Sequence, residues 1–157
     1  FGNFARLPQM KFTRGDINQL LEKLIAVYSS IYSNIHFNVN QDADIPSLVK
    51  MDVEQMKRIF VNIIDNAIES MGEKGTLEIL STYNKESQFI RIEIADNGPG
   101  ISDEDKQKIF TPYFSNKSSG TGLGLAIAHN IIDEHNGIIS IEDNIPHGAR
   151  FIIEIPA

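Results

Sequence analysis

The fold turns on Phe89-Ile90-Arg91-Ile92-Glu93-Ile94-Ala95-Asp96-Asn97-Gly98-Pro99-Gly100. From Phe89 to Ala95, Ile90, Ile92 and Ile94 alternate with Arg91 and Glu93, the period of two of a half-buried strand. A second alternating run, Leu77 to Tyr83, lies just upstream, and only the charged turn Asn84 to Gln88 separates them. The two therefore read as a hairpin. Two further neighbouring strands, Ile138 to Glu142 and Arg150 to Ile155, close the chain, and tight connections of this kind favour antiparallel pairing.

Working outward, the period changes to that of helices. Apolar residues at Leu20, Leu21, Leu24, Ile25, Val27 and Tyr28 predict a helix from Ile17 to about Ser33, with Asp16 as N-cap. Ile35, Phe37 and Val39 alternate as a strand, and Leu48 to Met51 reads as a short extended piece. Asp52 then caps a second helix whose apolar positions are Met56, Ile59, Phe60, Ile63, Ile64, Ala67, Ile68 and Met71, stopped by Gly72 and Gly75. A third helix runs from about Leu123 to His135 and ends at Gly137. Between the second hairpin strand and this helix, Asp96 to Gly124 is a long glycine-rich stretch with one short helical piece, Asp103 to Phe110; long loops in compact domains are usually functional or disordered. This order predicts an α+β two-layer sandwich: a mixed, mostly antiparallel sheet covered on one face by three helices. A doubly wound parallel sheet would need helices between most strands, and here they are missing.

Composition narrows the function classes. The 157 residues suit one domain, and 41% of them are hydrophobic, enough for a sizeable core. A formal charge of −7 gives no electrostatic reason to expect a nucleic-acid partner. There are no cysteines, so disulfides, thiolate zinc sites and a cysteine nucleophile are excluded. No apolar run approaches the ~18 residues of a membrane span, and the N-terminus lacks a signal-peptide core. The expectation is a soluble, cytoplasmic piece that makes no membrane contact itself. Position 1 is Phe, which suggests a piece of a longer protein.

Three groups of residues can carry chemistry. On the second helix Asn62, Asn66 and Glu69 share one stripe, opposite the apolar face. The stripe reads either as a solvated helix face or as a site, since amide oxygens are neutral hard ligands suited to Mg²⁺ held partly by nucleotide phosphates. Asp96 ends a strand and runs into Asn97-Gly98-Pro99-Gly100, which is either a plain turn or a rigidly placed carboxylate beside backbone that a flat ligand can approach closely. Gly120-Thr121-Gly122-Leu123-Gly124-Leu125 enters the third helix, where free N–H groups and the helix dipole favour phosphate. It has neither the Lys-Ser/Thr of a P-loop nor the Gly-x-Gly-x-x-Gly spacing. Before it stand Phe110, Tyr113 and Phe114, aromatics that either pin a surface loop to the core or anchor a ligand, with the cation Lys117 beside them. His36, His129, His135 and His147 show no base or metal pattern and read as structural or exposed.

Together, Asn62-x-x-x-Asn66-Ala67, Asp96-Asn97-Gly98-Pro99-Gly100, Phe110-x-x-x-Phe114 and Gly120-Thr121-Gly122-Leu123-Gly124-Leu125 resemble the N, G1, F and G2 boxes of sensor histidine kinases, in that family's order. His147-Gly148-Ala149-Arg150-Phe151 is similar to the family's final glycine turn. The resemblance implies the Bergerat ATP-binding sandwich shared with gyrase-type and Hsp90-type ATPases. It also implies ATP and Mg²⁺ as cofactors: Asp96 would accept from the adenine amino group, Asn66 would ligate Mg²⁺ and Asn62 would support metal or phosphate. Gly98, Gly100, Ile101, Phe110 and Phe114 would line the nucleotide site together with Gly120, Thr121, Gly122, Leu123, Gly124 and Leu125, and Lys117 would contact phosphate.

The opening Phe1-x-x-Phe4-Ala5-Arg6-Leu7-Pro8, with Pro112-Tyr113-Phe114 and Lys117, resembles nitrogen-regulation sensor kinases of the NtrY-like group. On that likeness residues 1–14 would be the end of a dimerisation helix and a linker, and residues 15–157 the catalytic ATP-binding domain. No phosphoacceptor pattern of His-Glu or His-Asp with a downstream Pro occurs in the chain. The implied partners are therefore ATP or ADP, the dimerisation and phosphoacceptor domain of the same kinase, and a response regulator, whether or not the parent is anchored in a membrane. Rival readings are an ATPase or serine-directed kinase of the same fold, and a nucleotide-binding module acting only in dimer control. A gyrase-type or Hsp90-type ATPase would be expected to carry Glu as general base where this chain has Asn62, which argues against efficient hydrolysis.

Overall fold

The computed structural model describes residues 9–114 and 124–157. The opening Phe1 to Pro8 motif and the candidate residues Lys117, Gly120, Thr121, Gly122 and Leu123 lie outside the described residues.

Strands and helices follow in the order β1 (Thr13–Gly15), α1 (Ile17–Ile31), β2 (Ile35–Gln41), β3 (Val49–Met51), α2 (Val53–Ser70), β4 (Gly75–Asn84), β5 (Phe89–Asp96), α3 (Asp103–Lys106), α4 (Gly124–Glu134), β6 (Ile138–Asp143) and β7 (Ala149–Pro156). Asp16 and Asp52 cap α1 and α2 as their positions predict, each side chain accepting from a backbone N–H in the first turn, that of Gln19 or Gln55. Such a cap satisfies one of the donors that a helix start leaves unpaired and is worth about 1 kcal/mol.

Five strands form the main sheet in the order β2-β4-β5-β7-β6. The β4–β5, β5–β7 and β6–β7 pairs are antiparallel, whereas β2 runs parallel to β4, in register from Ile35 against Gly75 to Gln41 against Ser81. The chain reaches β4 from β2 through β3 and α2, which supplies the crossover that a parallel pair requires. Thr13–Gly15, where the sequence suggests only the end of a linker, instead pairs with Val49–Met51 as a separate two-stranded ribbon. β3 falls on the short extended piece read at Leu48 to Met51, whereas the three residues of β1 carry too little alternation to be seen in sequence.

Alternation sets the two faces of the sheet. Ile79, Ile94 and Phe151 are cross-strand neighbours on the inner face, as are Ile92, Ile153 and Ile139. All six are buried, and against them pack Met56, Ile59, Phe60, Ile63, Ile64, Ala67 and Ile68 of α2 with Ile131 and Ile132 of α4. Each fully buried isoleucine contributes roughly 1.5–3 kcal/mol by leaving water. The outer face carries Glu78, Glu93 and Arg150, joined as an ion cluster. Among the described residues no helix is long and apolar enough to cross a membrane.

Two polar links tie the helical layer together. Tyr28 of α1 donates its hydroxyl to Asp65 of α2 at 2.7 Å, and burial followed by this bond pushes the phenol well above its usual range. His135, just past α4 and only 5% exposed, accepts from the backbone N–H of Asp52 at Nε2 (3.0 Å) and contacts the Ile131 carbonyl through Nδ1 (2.8 Å). An N–H can only donate and a carbonyl can only accept, so the ring proton sits on Nδ1. His135→Ala removes the acceptor for a buried backbone donor and should destabilise the fold by about 1–3 kcal/mol from that loss alone. Urea denaturation checks this, and a variant within about 0.5 kcal/mol of the unmodified chain would mean the link carries no stability.

Candidate functional site

Asp96 follows from the alternation of β5. Ile90, Ile92 and Ile94 face the helices, and two residues on, the same parity turns the Asp96 side chain inward, where it is 3% exposed. A carboxylate so buried needs donors. Its Oδ1 accepts from Gly98 N–H at 2.9 Å and from Ala149 N–H at 3.3 Å. These bonds occupy two of roughly four lone-pair positions of the carboxylate.

The turn after Asp96 is held from several sides. Asn97 Oδ1 accepts from the N–H of Thr76 at 2.9 Å, so this asparagine fastens the turn to β4. The Gly98 carbonyl meets His147 Nδ1 at 3.1 Å, which makes this histidine part of the turn's support. Gly148, with φ of +112°, passes so close to the Asp96 carbonyl that a Cβ there would collide with it. Gly100, with φ of +80°, sits against the Gly148 carbonyl. The Gly98 to Gly100 turn and the β6–β7 turn are thus in direct contact, which the sequence does not reveal.

A cavity of about 230 Å³ opens beside this turn, lined by Asn66, Glu69 and Ser70 of α2 and by Pro99, Gly100, Ile101 and Ile109. It brings together Asn66, Gly100 and Ile101 from the predicted set. Ser70, Glu69 and Ile109 join them, and of these only Glu69 stood out in sequence, on the asparagine stripe. The donor set is neutral amide and hydroxyl oxygen with one carboxylate, against apolar Ile101 and Ile109. Oxygen ligands of that kind suit a hard divalent cation, and the isoleucines suit the face of a flat ring. Among the described residues no group of three His, Asp or Glu is placed to hold a metal by itself.

The other predicted residues divide. Asn62 donates Nδ2–H to the Gly124 carbonyl at 3.0 Å, tying α2 to the start of α4, and a Cβ on Gly124 would rest 3.5 Å from that amide. Leu125 is packed against the core. Phe110 also turns to the core, with ring centroids 6.3 Å from Phe151 and 5.7 Å from His129, which is the loop-pinning alternative raised by the sequence. Phe114 is half-buried, its N–H bonded to the Thr111 carbonyl. His129, read as structural or exposed, lies 3.4 Å from Asp133 one turn on. Lys106 bridges Asp103 and Asp143 at 3.1 and 2.7 Å, fastening the short helix α3 to the end of β6.

Known proteins share this arrangement. Residues 51–157 match the family described as histidine kinase-, DNA gyrase B- and HSP90-like ATPase. The sensor histidine kinase ZraS of Klebsiella oxytoca is 30% identical over 154 residues, covering 97% of this chain and 33% of that protein. The nucleotide-free catalytic domain of histidine kinase ThkA superposes with a TM-score of 0.84 at 38% identity, covering 94% of this chain and 96% of the other. A structure of ThkA in complex with response regulator protein TrrA gives a TM-score of 0.79 at 34% identity, covering 92% of this chain and 41% of the other. The chain spans 23% to 33% of the length of the ZraS kinases it matches. With more than half of its residues inside the family match, the chain belongs to the histidine kinase-, DNA gyrase B- and HSP90-like ATPases and is homologous to the catalytic domains of sensor histidine kinases.

Proposed function

We propose that the chain binds Mg²⁺–ATP in the cavity beside Asp96 and positions it for phosphoryl transfer to a histidine elsewhere in the parent kinase. The observation that carries this reading is the buried Asp96 carboxylate, fixed by two backbone N–H groups at the end of a core strand that leads into Pro99 and Gly100 of the cavity wall, Asp96 itself not being among the lining residues. An acceptor held this rigidly selects a ligand edge that donates, as the exocyclic amino group of adenine does. Gly98 and Gly100 keep the adjacent backbone low, while Ile101 offers apolar contact to the base. Asn66, in the cavity wall, would hold Mg²⁺ through its amide oxygen. When bound, Mg²⁺ neutralises charge on the phosphates.

Asn62 acts on this reading through Gly124, holding α4 against α2, and on the family resemblance Lys117, Gly120, Thr121, Gly122 and Leu123 would contact the phosphates. An amide at Asn62 takes up no proton from water, which favours transfer over hydrolysis. The receiving histidine belongs to the dimerisation and phosphoacceptor domain of the same kinase, and the phosphoryl group passes on to a response regulator in the cytoplasm. The ThkA–TrrA complex supports that partner class, and the short span relative to ZraS leaves room for the other domains. Phe1 to Pro8 belongs on this reading to the preceding dimerisation helix.

The chain alone should bind ATP and ADP yet acquire no label from radiolabelled ATP, because its sequence holds no phosphoacceptor pattern; stable label on the chain would contradict this. Asp96→Asn replaces an acceptor-only group with one that also donates, at about 1–3 kcal/mol. ATP affinity should fall about tenfold or more by calorimetry, and unchanged affinity in a folded variant removes Asp96 from adenine recognition. Asn66→Ala should lose most of the Mg²⁺ dependence of ATP binding. A Mg²⁺ titration superimposable on that of the unmodified chain would make the α2 stripe a solvated face.

A further inference from the structure

We propose that Asn144, in the turn between β6 and β7, is a positioning residue for base recognition: it fixes the main chain of Asp96 and is itself anchored by Arg150 from the outer face of the sheet. The inference rests on the reading of Asp96 as the adenine contact and extends it to residues that touch no ligand.

The β5–β7 ladder ends at Ala95 opposite Arg150, so the Asp96 carbonyl lies one residue beyond the last paired position of that ladder. Asn144 Nδ2 donates to this carbonyl at 2.7 Å, continuing the pairing with a side chain where the strand can no longer supply it. The same amide's Oδ1 accepts from Arg150 Nη2 at 3.0 Å, and its backbone N–H donates to the Gly148 carbonyl at 3.0 Å. Arg150 in turn reaches Glu93 Oε1 at 2.9 Å and Glu78 Oε1 at 3.5 Å. Both acceptors of Asp96 are therefore gripped by the β6–β7 segment, the carbonyl by Asn144 and the carboxylate by Ala149 N–H.

Orientation follows from this double grip. The Gly98 and Ala149 bonds hold the carboxylate, and pairing opposite Leu77 holds the Asp96 main chain from the β4 side. The Asn144 bond holds its carbonyl from the β7 side, where the ladder has ended. A donor-selective site depends on the angle of its acceptor as well as on its presence, because hydrogen bonds weaken steeply away from linearity. The outer side of this cluster opens into a cavity of about 360 Å³ bordered by Thr76, Glu78, Ala95 and Glu142.

The test compares ATP with ITP, which carries an oxygen in place of the adenine amino group and so presents an acceptor to Asp96. Affinities for both are measured with the intact chain, Asn144→Ala, Asn144→Asp and Arg150→Gln, alongside thermal melting. Asn144→Ala should narrow the ATP-over-ITP preference by about threefold or more. Asn144→Asp keeps an acceptor for Arg150 but sets a carboxylate oxygen against the Asp96 carbonyl, and should narrow the preference at least as far. Arg150→Gln, on the half-exposed face, leaves Asn144 in place and should act in the same direction but less, which keeps the test open if an Asn144 variant fails to fold. A preference unchanged in the folded variants, whatever their melting temperature, would overturn the positioning role while leaving Asp96 as the reader. An intact chain with no preference for ATP over ITP would sink the adenine reading itself.

Discussion

Asp96 sits at the end of a strand whose other inward residues are isoleucines, and a carboxylate in that position needs donors such as the backbone N–H groups that answer it. Both donors come from segments that must be brought in by the fold. Gly98 N–H requires the chain to turn back directly after β5, and Ala149 N–H requires β7 to enter the sheet beside β5. The close pass of Gly148 over the Asp96 carbonyl leaves no room for a side chain, so the turn sequence is constrained by the strand it meets. The strand order β4-β5-β7 is thus also the arrangement that solvates one buried charge.

The helical layer is keyed to the same place. Helix α2 buries one face on the sheet and lends Asn66, Glu69 and Ser70 to the cavity at its far end. Its N-terminus is held by His135, from the end of α4, and its middle by the Asn62 bond to Gly124, at the start of α4. Two polar contacts thus hold α4 at both ends against α2. The candidate phosphate-binding stretch precedes α4 in the sequence, and Asn62 holds the first residue of that helix.

The main lines of this fold could be read from alternation and helical periods because β4, β5, α2 and α4 each bury a full face. Asp96 could be read for the same reason: it continues the inward parity of Ile90, Ile92 and Ile94. What escaped were features made by meetings between distant segments. The parallel pairing of β2 with β4 depends on where α2 returns the chain, and the β1–β3 ribbon joins two three-residue pieces with almost no pattern. Asn144 and Gly148 come close to Asp96 only when β7 is laid beside β5, and His147 then meets the Gly98 carbonyl; the sequence showed the family's final glycine turn at His147-Gly148 but not what it touches. For Phe110 the sequence left two readings open, a core pin or a ligand anchor, and the structure shows the packing half. Its spacing matched the family motif, yet its ring is turned to Phe151 and the core. His135 read as merely structural, and its bond to the Asp52 N–H spans 83 positions, beyond any local signal.

The central claim is that the carboxylate fixed by Gly98 and Ala149 is the point at which the base is read. Amide NMR tests it most directly, because these two N–H groups both donate to Asp96 Oδ1 and report any change in its partners. Titration with ADP should shift the Gly98 and Ala149 resonances together along one saturable curve, and GDP at the same concentrations should leave them nearly in place. Resonances that stay fixed through saturation with ADP, while those of another surface such as the β4–β5 turn move, would contradict the account.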